Sequence, residues 1–125
     1  MTDLKERTKA FALRIVRLFG ALPKSTEAQI LGKQLLRSGT AVGAHFREAY
    51  RSRSDAEYIA KVELALQELE ETGYWLELLV GAEIVPQARL TELQTELNEI
   101  TAMLVTCVKT ARERRKAESG GRRKD

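Results

Sequence analysis

The sequence predicts an all-α fold, an antiparallel up-down four-helix bundle, and three observations carry that expectation. Apolar residues recur at steps of three and four along four separate stretches. No stretch alternates with the period of two that a half-buried strand requires. The stretches are joined by a few residues each, which favours antiparallel neighbours. A chain of 125 residues with 43% hydrophobic and 31% charged residues suffices for one core but not two. The expected organisation is a bundle domain over residues 1–111, followed by a basic helix end and disordered tail over 112–125.

In the first helix, Leu4, Phe11, Ile15, Leu18 and Leu22 fall at steps of 7, 4, 3 and 4, and Pro23 closes the segment. Thr26 and Gln29 have the spacing of a capping box, after which Leu31, Leu35, Val42, Phe46 and Ala49 carry a second helix toward Arg51. Ser54 and Glu57 form a clearer box, with Asp55 adding negative charge in the first turn where the helix dipole favours it. Tyr58, Val62, Ala65, Leu69, Leu76 and Leu79 then mark a third helix ending near Gly81. Pro86 suits the first turn of a fourth. There Leu90, Leu93, Leu97, Ile100, Leu104, Cys107 and Ala111 alternate steps of 3 and 4, the form of a bundle seam.

A glycine inside a helix costs about 1 kcal/mol relative to alanine, so the glycines of the second helix need a reason. Gly32, Leu36, Gly39 and Gly43 fall at steps of 4, 3 and 4, forming a flank beside the apolar face. Close approach of another helix is the favoured explanation, with a ligand or partner backbone as the competitor.

The net charge of +3 hides an uneven distribution. Residues 1–55 hold 11 Lys or Arg against 5 Asp or Glu, residues 56–111 hold 3 against 10, and residues 112–125 hold 7 against 3. The chain is a basic half, an acidic half and a basic tail. No run of about 18 apolar residues is present to span a bilayer, and the first residues lack the apolar block of a secretory signal, so a cytoplasmic location and no membrane partner are expected. One cysteine and one histidine leave no zinc site by the usual ligand sets, and no phosphate loop or nucleophile elbow is present. The expectation is therefore no enzyme, no catalytic residue, no metal, no cofactor and no small-molecule substrate. His45, at the edge of the apolar stripe of the second helix, reads as a packed or hydrogen-bonding residue, and Cys107 as a small buried hydrophobe.

Function is sought on the helix backs. Lys33, Arg37, Arg47 and Arg51 share the side of the second helix opposite Leu31, Leu35 and Val42. Cations spaced along a rod can track a phosphate backbone. The competing explanations are a solvated face, or ion pairing with the acidic back of the third helix within or between subunits. Leu64, Glu68, Glu71, Trp75 and Leu78 lie together on that back, a mixed apolar and acidic face that self-association would bury. In the tail, Arg112, Arg114, Arg115 and Lys116 suit the negative end of a helix dipole as well as a polyanion. Beyond them the basic run is broken by Ser119-Gly120-Gly121.

Two blocks in order carry a more specific signal. The run from Arg37-Ser38-Gly39-Thr40-Ala41-Val42-Gly43 through His45-Phe46-Arg47-Glu48-Ala49, followed by Asp55-Ala56-Glu57-Tyr58 and Ala65 to Leu79 with its Gly73-Tyr74-Trp75, resembles the bacterial four-helix-bundle family named for the 23S rRNA intervening-sequence proteins. The resemblance runs from the first helix to the end of the fourth and leaves out the basic tail. It implies a ring-like homopentamer and places the family's recurrent polar residues on Arg37, Ser38, Glu48, Lys61, Glu68, Glu71 and the pair Tyr74-Trp75. Where the family usually has Asn, this chain has His45, which can also donate and accept, and which is expected to add a pH dependence near neutrality. The expected function is a non-enzymatic homo-oligomer binding RNA, DNA or nucleic acid generally. The alternative is a protein-interaction scaffold whose charged faces pair between subunits.

Overall fold

Each of the first three helices begins where a short polar side chain takes an N–H that the helix itself leaves unpaired. Asp3 accepts from the Lys5 amide at 2.9 Å, Ser25 from Ala28 at 3.4 Å and Ser54 from Glu57 at 3.1 Å. A computed structural model of the chain describes residues 3–124, and side chains as far as residue 119. The backbone forms α1 (Leu4–Ala21), α2 (Thr26–Tyr50), α3 (Asp55–Gly81) and α4 (Gln87–Lys124), with no strand among the described residues. The cap of α2 is therefore Ser25, one residue before the expected Thr26, and Gln29 donates its side-chain amide to the Pro23 carbonyl at 2.8 Å. At α3 the box is half as expected, since the Glu57 carboxylate accepts from the Arg53 amide at 3.5 Å.

Consecutive helices are neighbours: α2 packs on α1 and α3, α3 packs on α4, and a lighter contact between α1 and α4 closes the circuit. The core between them holds Phe11 and Ile15 of α1, Leu35 and Val42 of α2, Leu69, Leu76 and Leu79 of α3, and Leu90, Ile100 and Leu104 of α4, each at most 1% exposed. Burying one such side chain is worth about 1.5–3 kcal/mol. Periodicity located most of this core, but α4 drifts. Leu97 and Cys107 are only half-buried, while Val108 is 6% exposed. A straight helix of 3.6 residues per turn falls behind a strict 3.5 repeat by about 20° per heptad, so over the length of the seam the inward position moves from residue 107 to 108.

The glycine flank of α2 is where α1 comes close. A Cβ at Gly32 would stand 2.6 Å from Leu22, one at Gly39 would stand 2.8 and 2.9 Å from two γ carbons of Ile15, and one at Gly43 would stand 3.2 Å from the Thr8 hydroxyl. Close packing against α1, rather than a ligand, explains these glycines.

One further segment differs from expectation, at the end of α3. Gly81 stays helical, and the left-handed turn out of α3 falls on Glu83 at φ 60°, where the Glu83 and Ile84 amides donate to Val80 and Leu79 at 2.9 Å each. α4 is described as helical through Ser119, Gly120 and Gly121 to Lys124. Once a long helix exists, each added residue gains a hydrogen bond without a new nucleation cost, so the glycines weaken the end without stopping it.

Candidate nucleic-acid interface

Where α2 faces α3, polar groups are bound to one another. Buried Ser38 and Thr72 place their hydroxyls 2.9 Å apart, and each is also within hydrogen-bonding range of a backbone carbonyl. Outside them, Arg37 reaches across to Glu68 at 3.1 Å and Glu71 at 3.0 Å. These carboxylates, Glu68 first, hold the guanidinium more firmly charged than usual. The Lys61 ammonium lies 3.1 Å from Glu48, whose other oxygen is 3.0 Å from His45 Nδ1. Lys61 and then His45 hold the Glu48 carboxyl below its ordinary range. His45 Nε2 stands 3.8 Å from Glu68, so the histidine links the two ion-paired groups.

Other seams are closed the same way. Arg7 of α1 bonds Glu96 at 2.7 Å and Glu99 at 2.9 Å on α4, and Arg14 lies 3.5 Å from Glu92. On the opposite side of α4, Arg112 pairs with Glu63 and Arg114 with Asp55, both at 3.0 Å. Six carboxylates of the acidic middle of the sequence are thus paired by four cations of the same chain, Arg7, Arg14, Arg37 and Arg112, while Glu57, Glu70, Glu77 and Glu83 form no ion pair among the described residues.

This sorts the predicted basic residues into two groups. Arg37, Arg112 and Arg114 are engaged within the chain. Lys33, Arg47, Arg51, Arg115 and Lys116 are exposed and, among the described residues, form no ion pair. Arg53 and Lys9 are also exposed and form none, and sequence reasoning missed both. The spacing Arg51-Ser52-Arg53-Ser54 across a turn was the available signal for Arg53. Tyr50, also missed, is 64% exposed, and Lys5 Nζ sits 4.2 Å from its ring centroid.

On the back of α3, Leu64 is 38% exposed, Trp75 and Leu78 are half-buried, and Tyr74 is 53% exposed with its ring 5.2 Å from that of Trp75. The Trp75 indole N–H is buried with no acceptor among the described residues. Glu68 and Glu71, expected to share this face, turn toward Arg37. Exposed apolar side chains are not confined to α3, since Val16, Ile30 and Val105 are 44%, 59% and 51% exposed on the other three helices.

Cys107 is half-buried beside Tyr58. Burial pushes the Tyr58 phenol up to about 12, and the neighbouring thiol adds to the shift. Among the described residues no group of three or more His, Cys, Asp or Glu is placed to hold a metal ion. No helix there is long and apolar enough to cross a membrane.

The family model for the 23S rRNA-intervening sequence protein matches residues 2–106. Among solved structures, the chain is similar to a protein with unknown function from the S23 ribosomal protein family of Bacteroides thetaiotaomicron. The TM-score is 0.81 and the identity 37%, covering 86% of this chain and 99% of that one. No curated protein matches.

Proposed function

From the chain's membership of the 23S rRNA-intervening sequence protein family, we propose that it is a non-enzymatic, homo-oligomeric helical bundle of the cytoplasm that binds RNA, or nucleic acid generally, through its exposed cations. The bundle is read as antiparallel and up-down. Supporting that reading, contacts between neighbouring helices join residues in opposite order, with Thr8, Ile15 and Leu22 meeting Gly43, Gly39 and Gly32, and with Arg37 and Glu48 meeting Glu71 and Lys61. The exposed Leu64 and Tyr74 on the back of α3 favour burial against another copy. The ring of five is the assembly that the family resemblance implies.

One observation carries the nucleic-acid reading. Ion pairing within the chain engages Arg37, Arg112 and Arg114 and leaves Lys33, Arg47, Arg51, Arg115 and Lys116 exposed without partners among the described residues. Glu48, Glu68 and Glu71, the carboxylates nearest the basic stripe, are engaged within the chain, so a scaffold held by charge pairing between subunits would have to use other exposed carboxylates such as Glu70 and Glu77.

The test is a salt titration of binding to a structured RNA and to duplex DNA, with the mass of each sample checked by light scattering. If about four phosphates are contacted per site, log affinity should fall against log salt with a slope of about −3 to −4. Arg47→Glu/Arg51→Glu and Arg115→Glu/Lys116→Glu should each weaken binding and flatten the slope. Absence of binding by the parent protein at about 50 mM salt, where phosphate contacts are strongest, would end this reading.

A further inference from the structure

Resting on the nucleic-acid reading above, we infer that the end of the bundle at the α2–α3 turn is a docking surface for a single-stranded nucleic acid, with Tyr50 as the stacking platform. The turn carries Arg51 and Arg53, and α4 passes beside it with Arg114 and Arg115. Together with Tyr58 and the small residues of the turn, Tyr50, Arg53 and Arg115 border an open polar hollow of about 620 Å³. One helical turn back along α2 and α1, Arg47 and Lys9 border a second, narrower groove of about 350 Å³ whose wall includes Gly43 and Ala44. Lys5, one turn from Lys9, lies over the Tyr50 ring at 4.2 Å. Tyr50 thus borders the first hollow and lies about one helical turn from the second, and each carries cations that are exposed and unpaired among the described residues.

Carboxylates at this end do not reverse its sign. Asp55 in the hollow is held by Arg114 at 3.0 Å, and the Glu57 carboxylate accepts from the Arg53 amide. Glu118 is exposed at the rim.

The preference for a single strand follows from the aromatic group. A duplex turns its bases inward and offers only phosphates and groove edges, so an exposed tyrosine adds little to its capture. A single strand offers both phosphates for the cations and a free base face for stacking on Tyr50, and this combination tolerates any sequence. Lys33, seventeen residues before Tyr50 on α2, lies about 25 Å along the helix from it and is outside this surface.

Fluorescence anisotropy with labelled oligouridine and oligothymidine of about twelve nucleotides, and with a duplex of equal length, reads the difference at about 50 mM salt. The full-length parent should bind the single strands more tightly than the duplex. Tyr50→Ala should weaken single-strand binding about tenfold and leave duplex binding unchanged, and Tyr50→Trp should retain it. Arg53→Glu/Arg115→Glu should cost more single-strand affinity than Lys33→Glu. Circular dichroism of each variant confirms that the fold is kept. The inference is overturned if Tyr50→Ala weakens both ligands equally or neither, or if Lys33→Glu matches the double variant. Duplex binding that persists with a silent Tyr50 removes this inference alone. Failure of the parent protein to bind any of the probes removes the nucleic-acid reading as well.

Discussion

Replacing Gly39 with alanine tests whether close approach of α1 is what the glycine is for. In an unhindered helix interior the change should stabilise by about 1 kcal/mol, the propensity difference between the two residues. At this position the new methyl would stand 2.8 and 2.9 Å from the two γ carbons of Ile15 and 3.2 Å from its β carbon. Ile15 is fully buried, and rotating its side chain moves the γ carbons but leaves the β carbon in place. Overpacking of this kind costs about 1–3 kcal/mol, and with no rotamer that clears the clash we take the upper part of that range. Gly39→Ala should therefore destabilise by about 1–2 kcal/mol. Gly43 is the internal comparison, since its nearest neighbours are the Thr8 hydroxyl at 3.2 Å and β carbon at 3.4 Å, which need yield only slightly. Gly43→Ala should be neutral or stabilising by up to about 1 kcal/mol. Urea unfolding followed by circular dichroism at one fixed protein concentration would place the Gly39→Ala midpoint below the parent and the Gly43→Ala midpoint at or above it, the two at least about 0.5 M apart. Combining Gly39→Ala with Ile15→Ala should cost less than the sum of the two. Equal stabilisation by both alanines would refute the packing argument.

Three other outcomes are expected. Thr72→Val removes the hydroxyl that faces Ser38 at 2.9 Å and should destabilise by about 1 kcal/mol, while Thr72→Val/Ser38→Ala should cost less than the sum of its parts, as read by urea midpoints. Lys61 holds the Glu48 carboxyl below its ordinary value of 4.5, so the stability this adds is present above that pH and fades as pH falls through the lower folded value. The stability gap between the parent and Lys61→Met should be open near about pH 6 and close toward about pH 3, and a gap independent of pH would contradict the pairing. Glu83→Gly relieves a left-handed backbone at φ 60° and should stabilise by about 0.5–1 kcal/mol, raising the thermal midpoint by a few degrees.

Much of the fold was legible because burial acts on a period the sequence displays. Phe11, Ile15, Leu35, Val42, Leu69 and Leu76 were assigned inward by spacing and are inward. The misses have local causes. Ser25 and Thr26 are both competent caps, and the choice between them depends on where Pro23 releases the chain. Glu83 could not be found from propensity, since nothing in an acidic side chain announces a left-handed turn next to an available Gly81. The charged surface was less legible still. Helical spacing places Arg37 beside Lys33, yet which one reaches Glu68 depends on the axial register of α2 against α3, in which Ser38 stands opposite Thr72. Arg114 was assigned to the helix dipole because its partner Asp55 lies 59 residues away. Tyr50 and Lys5 meet only after α1 folds back along α2.

The length of α4 sets a second distance scale. Arg114 is opposite Asp55, the first residue of α3, yet α4 continues for ten residues more. At 1.5 Å per residue that is an outrigger of about 15 Å beyond the level where its neighbour begins. The Debye length at physiological ionic strength is about 8 Å, so its far end lies nearly two screening lengths beyond that level. A polyanion of the kind proposed would meet the end of this extension before the charges of the helical body. On that proposal, capture and retention would be separated in space. Changes on the extension past Glu118, the last residue bordering the hollow, should alter how fast such a polyanion arrives, and changes at the body, Arg115 included, should alter how long it stays.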